Sequence, residues 1–313
     1  MSIKNLVTLS DKNYLENGLC LYDSLKKHSS DFYLHYLALD EDTHRVLREL
    51  DLENIFVYSL IDLSIDTDLE VLIHNNPSRP IDTSDGQSPF HWALASFFSN
   101  FLIQQYKIPH VMYVDSDLLF YDSVEKIFDC IGKKSIGLIT HKHIKLDKDL
   151  KNPGYYNVGI IYFRNNKLGK ECLRFWRDCC VNPNNQFSDV FGSCGDQKYL
   201  ELFEDFFDKD EIKVLDKEIG HGAPWSFVLF DFISLTRVVW KDPMHLVLEE
   251  DSIEQDIVFN HFSHFTPNYD SDSYSVDRGG EWGPRLRQHP GVKEVYDDYF
   301  EKLKETRERY NLS

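Results

Sequence analysis

The chain has 313 residues, and 34 lysines and arginines stand against 52 aspartates and glutamates, a formal net charge of −18 at pH 7. That balance excludes a nucleic-acid binder, because phosphate backbones are held by a surplus of basic side chains. With 42% hydrophobic and 14% aromatic residues the chain can bury a sizeable core, which excludes global disorder and implies one large domain or two fused halves.

Residues 5–9 read as a strand, and 14–27 follow with Leu15, Leu19, Tyr22 and Leu25 at helical spacing. Residues 32–39 are strand-like, 41–50 helix-like and 55–58 a third short strand. Alternating strands and helices imply a parallel sheet covered by helices. From 64 to 88 the pattern dissolves into turn residues (NNPSRPIDTSDGQS), which predicts a long loop and a candidate lid. Residues 90–106 resume as an apolar helix, and 111–114 form a buried strand that ends at Asp115. Further on, 135–140 and 155–163 read as strands, while 167–181 and 194–203 read as helices, an α+β half grafted on the first. Residues 285–310 close the chain as a helical segment interrupted at Pro290-Gly291, its mixed charge that of a solvated face.

The first ten residues, MSIKNLVTLS, carry only a short apolar stretch. No later segment reaches the about 18 uninterrupted apolar residues that a membrane span needs. Neither a secretory signal nor a transmembrane helix is expected. The six cysteines, Cys20, Cys130, Cys172, Cys179, Cys180 and Cys194, include no CxxC pair, which offers no zinc site and fits a reducing cytoplasm. Any metal is expected to be hard and held by carboxylates.

The sharpest chemical feature is VMYVDSDLLF over 111–120, a buried strand ending in Asp115-Ser116-Asp117. It places two carboxylates at the carboxyl edge of a sheet, where open α/β folds bind ligands. Carboxylates one residue apart repel each other unless a cation lies between them, so the spacing suits Mg²⁺ or Mn²⁺ bridging a diphosphate. A capped turn is the plain alternative. Asp196 and Gln197 open the DQKYLELF stretch, where Asp196 would otherwise serve as a helix cap. His261 and His264 flank an aromatic in NHFSH, and Trp225 in GHGAPW offers a flat face for a sugar or a buried anchor. The run YDSDSY over 269–274 starts like a calcium loop but lacks the required Gly and Glu.

These motifs, in this order, resemble the GT-A-fold, sugar-nucleotide-dependent glycosyltransferases, and among them bacterial glycosyltransferase family 8. The stretch LVTLSDKNY over 6–14 is similar to the first strand and base-binding loop of that fold, and DSD over 115–117 to the family's metal-binding Asp-x-Asp. Asn157 and Gly159 resemble the Asn-x-Gly strand beside the donor sugar, Asp196-Gln197 the pair at the reacting centre, and His261 the late metal ligand. The resemblance implies a GT-A sheet, mixed but mostly parallel and flanked by helices, with an α+β carboxyl-terminal part. It divides one continuous domain into a nucleotide-sugar-binding half (1–140), an acceptor and catalytic half (141–284) and a closing helical segment (285–313).

It further implies transfer of a sugar from a nucleoside diphosphate donor, UDP above all, to a glycan or lipid-linked saccharide, with retention of configuration, in cell-surface polysaccharide or lipopolysaccharide synthesis. The expected location is the cytoplasm, with at most peripheral contact at the inner face of the membrane. Asp115, Asp117 and His261 would hold Mn²⁺ or Mg²⁺. Leu9, Ser10, Asp11 and Ser116 would meet the nucleotide, and Asp115, Asn157, Gly159 and Asp196 the donor sugar. Gln197 would face the reacting centre with Asp196, and Trp225 the acceptor.

The family follows its metal histidine with a Gly and then a Lys-Pro-Trp that grips the diphosphate. Here those places hold His264 and Thr266-Pro267-Asn268, which leaves Lys142 and Arg278 as candidate phosphate contacts. Two other readings stand beside the transferase. A haloacid-dehalogenase-like phosphohydrolase also sets Asp-x-Asp after a buried strand, and a catalytically inactive sugar-binding module would keep the fold for recognition.

Overall fold

The computed structural model describes residues 3–75, 89–142, 154–182, 186–187, 196–241, 252–276 and 288–312. Its spine is a seven-stranded sheet of order β3-β2-β1-β4-β7-β6-β8. These strands are β1 (Lys4–Ser10), β2 (Phe32–Ala38), β3 (Ile55–Ser59), β4 (His110–Val114), β6 (Ile136–Thr140), β7 (Tyr156–Arg164) and β8 (Ile212–Val214). All pairings are parallel except those of β7, which runs antiparallel to both neighbours. The wholly parallel sheet expected from the β-α alternation is thus interrupted by one strand, giving the mixed, mostly parallel sheet that the resemblance implies.

Strand alternation sorts the side chains into two cores. Val7, Leu9, Val111 and Tyr113 point to the face covered by α5 (Pro89–Tyr106) and α7 (Lys167–Val181), where Phe97, Phe98 and Trp176 are buried. Leu6, Met112 and Val114 point to the opposite face, against α1 (Leu15–His28), α2 (Glu41–Leu50) and α6 (Glu125–Ile131). Short polar caps fix where helices begin. Asp40 accepts from the Thr43 amide at 2.8 Å ahead of α2, and Asn166 from the Gly169 amide at 2.8 Å ahead of α7.

The expectation of an unstructured loop from residue 64 is corrected. A short turn of helix, α3 (Leu60–Leu63), precedes α4 (Asp68–Asn75), and Leu69 and Leu72 of α4 are buried. Ile73 packs against the same core, so the inward residues Leu69, Leu72 and Ile73 span little more than one turn, too short a run to stand out as a helix beside the turn residues that follow. The helix is held by charge as well: buried Arg177 of α7 pairs with Asp66 at 3.0 Å and Asp68 at 2.8 Å. The remainder of that predicted loop, 76–88, lies outside the described residues.

A second sheet joins β5 (Leu118–Phe120), β10 (Phe230–Ser234), β11 (Arg237–Lys241) and β12 (Ser252–His261), with β9 (Gly220–Gly222) parallel to β12. Its own core packs against the closing helix Val292–Tyr310, which starts only after Gly291 at a left-handed φ of 82°. The chain leaves the first sheet at Val114 and enters the second at Leu118. Asp115, Ser116 and Asp117 are therefore the bridge between the two sheets.

Candidate active site

The first sheet runs outward from its centre in both directions, so the crevice beyond the carboxyl ends of β1 and β4 is its topological switch point. Val7 lies beside Tyr113 in the parallel register, which carries Leu9 and Ser10 to the same edge as Asp115 and Ser116. From the other side, antiparallel β7 brings Gly159 to that edge, where its carbonyl accepts from the Asp115 amide at 3.1 Å.

Three ligand-bearing side chains converge there. Nε2 of His261, at the end of β12, lies 3.1 Å from Oδ1 of Asp117 and 3.6 Å from Oδ2 of Asp115. The ligand atoms of Asp115, Asp117 and His261 all fall within 4.8 Å of one another. Backbone pairing makes this meeting obligatory, since His261 pairs with Leu118 across β12 and β5, and the next amide, Phe262, donates to the Asp117 carbonyl at 3.0 Å. The Tyr113 hydroxyl donates to Oδ1 of Asp115 at 2.9 Å and orients that carboxylate. Two carboxylates and one imidazole form a donor set suited to a hard divalent cation.

The electrostatics fit the same use. Burial, with the neighbouring charge of Asp117 added, pushes Asp115 up to about 6, although His261 opposes the shift. Burial also works upward on Asp117, but the adjacent His261 outweighs it and holds that carboxyl below its ordinary range. Burial works downward on His261, and the attraction of Asp117 and Asp115 overcomes it, so the imidazole is raised. Protons therefore compete with a cation for Asp115 and His261.

Beside the cluster lies a chain of amides. Nδ2 of Asn157 donates to Oε1 of Gln197 at 2.9 Å, and the Val158 amide reaches the same oxygen at 3.3 Å. The buried carboxyl of Asp196 is pushed up to about 8, by burial first and by Asp115 second. Asp196 makes no capping bond with its side chain, and the segment it opens is a 3-10 turn, Gln197–Leu202, followed by a single α-turn, Phe203–Phe206. Residues 194 and 195 of the expected helix lie outside the described residues. Trp225 stands edge-on between two histidines, its ring 5.2 Å from His141 and 5.4 Å from His261.

The remaining expected residues are placed as follows. Leu9 and Ser10 are buried at the end of β1, with the Ser10 hydroxyl 2.6 Å from that of Tyr36. Asp11 folds its own loop, accepting from the Asn13 amide at 2.9 Å. Ser116 is buried between the two aspartates. The Lys142 ammonium donates to the His221 carbonyl at 3.2 Å and lies 4.3 Å from the Trp240 ring centroid, on the second sheet. Arg278 lies outside the described residues. His264 takes a left-handed φ of 65°, which a glycine would adopt freely. Sequence reasoning passed over Tyr113, which reaches Asp115 from two residues earlier on the same strand, and His141, whose proximity to Asn157 depends on the pairing of β6 with β7.

The comparisons agree with this architecture. Residues 5–175 match the family model described as glycosyl transferase family 8. The uncharacterized protein YfnF of Bacillus subtilis (strain 168) is 28% identical over 265 residues, 82% of this chain and 80% of that one. Among solved structures, galactosyltransferase LgtC in complex with donor and acceptor sugar analogs superposes with a TM-score of 0.54 at 13% identity, covering 96% of this chain and 95% of that one. Mouse xyloside xylosyltransferase 1 gives a TM-score of 0.50 at 15% identity, covering 82% and 97% respectively. At such identities the likeness is one of fold, and the fold is GT-A. The family model spans more than half of the sequence, and the chain is a glycosyltransferase that belongs to glycosyl transferase family 8.

Proposed function

We propose that the enzyme transfers a sugar from a UDP-sugar to a hydroxyl of a glycan or lipid-linked saccharide in the presence of Mn²⁺ or Mg²⁺. We assign the reaction to cell-surface polysaccharide or lipopolysaccharide synthesis at the cytoplasmic side. The observation that carries the reading is the convergence of Asp115, Asp117 and His261 at the switch point of the sheet. A diphosphate entering this carboxylate-lined edge would be repelled without a cation. When bound, the metal neutralises the phosphate oxygens and stabilises the departing diphosphate.

The chain's own residues do the rest. In this proposal Asp115, Asp117 and His261 hold the cation, and Leu9, Ser10, Asp11 and Ser116 meet base and ribose. Asn157, Gly159, Asp115 and Asp196 bind the donor sugar. Gln197 and Asp196 face the anomeric carbon, Trp225 supports the acceptor, and Lys142 or Arg278 supplies the cationic phosphate contact. Retention of configuration follows the family resemblance. Among the described residues no helix is long and apolar enough to cross a membrane.

The test is thermal shift with nucleoside diphosphates and their sugar conjugates, each with Mn²⁺, Mg²⁺ or EDTA. Stabilisation by uridine nucleotides only when metal is present is expected. No shift with any nucleotide would overturn the metal–diphosphate reading.

A further inference from the structure

His141 follows β6 with its side chain buried, and its main-chain amide donates to the Tyr155 carbonyl at 3.0 Å. Its Nε2 lies 3.1 Å from Nδ2 of Asn157. Which of the two is the donor follows from the backbone. The Gly159 amide can only donate, and it reaches Oδ1 of Asn157 at 2.9 Å. The other end of that amide, Nδ2, is therefore what Asn157 offers to His141, and Nε2 of His141 must accept. The imidazole is neutral, with its proton on Nδ1.

The same logic orients Gln197. The Val158 amide can only donate, and together with Nδ2 of Asn157 it takes both acceptor positions of Oε1 of Gln197. The Gln197 nitrogen has no protein partner among the described residues. It is the end of the amide left for a ligand.

We infer that His141 is a positioning residue for glycosyl transfer: the Gly159 and Val158 amides set which way Asn157 and Gln197 face, and His141, by accepting the second Nδ2 hydrogen of Asn157, holds that pair in place so that the amide nitrogen of Gln197, rather than its oxygen, donates to a sugar hydroxyl. This deepens the reading of the site as a sugar-transfer centre and rests on it. An amide pair of buried Asn157 and partly buried Gln197, each oriented by a main-chain donor, is pre-organised, and small displacements at such a place are costly to the chemical step.

Two measurements test it. Nitrogen-15 spectra of histidine-labelled protein, with the His141 signal identified by its loss in His141→Phe, should show Nε2 unprotonated and Nδ1 protonated at pH 7. Release of UDP from UDP-glucose, UDP-galactose and UDP-N-acetylglucosamine with Mn²⁺ gives kcat and KM. His141→Phe, which fills the space but accepts nothing, should lower kcat about tenfold or more, with donor KM and Mn²⁺ affinity within about twofold. His141→Gln, whose carbonyl can take the place of Nε2, should restore most of the rate. A protonated Nε2, an unchanged kcat in His141→Phe, or a glutamine variant as slow as the phenylalanine one overturns the inference. Turnover that ignores residue 141 overturns the role of His141 alone. Absence of turnover with all three donors overturns the UDP-sugar reading and the role together.

Discussion

His261 lies against the bare backbone of Gly159: a Cβ added to Gly159 would stand 2.9 Å from Nδ1 of the histidine and 2.5 Å from Oδ1 of Asn157. The glycine thus makes room at once for the ring of the metal cluster and for the amide beside the sugar site. Gly159→Ala is expected to displace both groups while the strand persists. Metal sites tolerate little movement of their ligands, so Mn²⁺ affinity should fall about 10- to 100-fold. Calorimetric titration with Mn²⁺ checks this, and an affinity equal to wild type would show that the ring has space to spare.

Metal binding should weaken in acid, with a sign set by the protonation of the ligand side chains. Burial and Asp117 push Asp115 up to about 6, and the two carboxylates raise His261 against the effect of its burial. Both must be deprotonated to act as ligands. Lowering the pH from 8 to 5 therefore adds protons that Mn²⁺ must expel, and affinity should drop by about tenfold per pH unit for each proton displaced. Titration in buffers of different ionisation enthalpy would reveal the released protons. A pH-independent affinity over that range would falsify the assignment of these three side chains as the ligands.

Much of the first sheet could be read from sequence because strands such as β1, β4 and β6 are fully buried runs beside helices with strong periodicity. β1 is buried along all seven residues, and α1 presents Leu15, Leu19, Tyr22 and Leu25 inward. The second sheet was illegible for the opposite reason. β9 is Gly-His-Gly and β5 only Leu-Leu-Phe, each too short to show alternation, and both exist because β12 offers them an edge. The candidate ligands were visible as a family pattern, yet the backbone bond from Phe262 to Asp117 that joins them is a tertiary contact with no local sign. His141 shows the limit most plainly. A lone histidine after a strand carries no motif, and its link to Asn157 appears only when β6 and β7 pair.

The strand end bearing His261 is braced from behind. The rings of Phe262 and Tyr299 stack with centroids 3.8 Å apart and planes 9° from parallel, and Asn17 donates to the Tyr299 hydroxyl at 2.8 Å. Tyr299→Ala removes a fully buried ring and should cost roughly 3–5 kcal/mol in chemical denaturation. It should also reduce Mn²⁺ affinity, because Phe262 follows His261 directly. Tyr299→Phe keeps the stack and leaves only the Asn17 amide unmet, about 1 kcal/mol, with Mn²⁺ binding as in wild type. Equal metal affinity in all three proteins would separate the closing helix from the site.

Buried neutral histidines make the fold itself acid-sensitive. Burial holds His110 down to about 4, helped by the charges of Arg164 and Lys4. The ring is fixed as an acceptor by the Asn5 amide, 3.1 Å from Nε2. His35 and His221 are likewise lowered to about 4, chiefly by burial. For a histidine whose folded value lies below its unfolded value of about 6.5, the unfolded chain binds the proton more readily as the pH falls between those limits. Stability is thus lost as the pH drops from 6.5 toward 4. The raised carboxyls of Asp115, below about pH 6, and Asp196, across the whole of that window, act in the opposite sense, so the decisive measurement is a difference between two proteins. His110→Gln keeps an acceptor for Asn5 but cannot take up a proton. Above pH 6.5 the two stability curves should run parallel. Below it wild type should fall relative to the variant by about 1.4 kcal/mol per pH unit, reaching roughly 3 kcal/mol near pH 4. Urea denaturation across the pH series measures that slope, and curves that stay parallel throughout would mean that His110 is as easily protonated in the folded protein as in the unfolded chain.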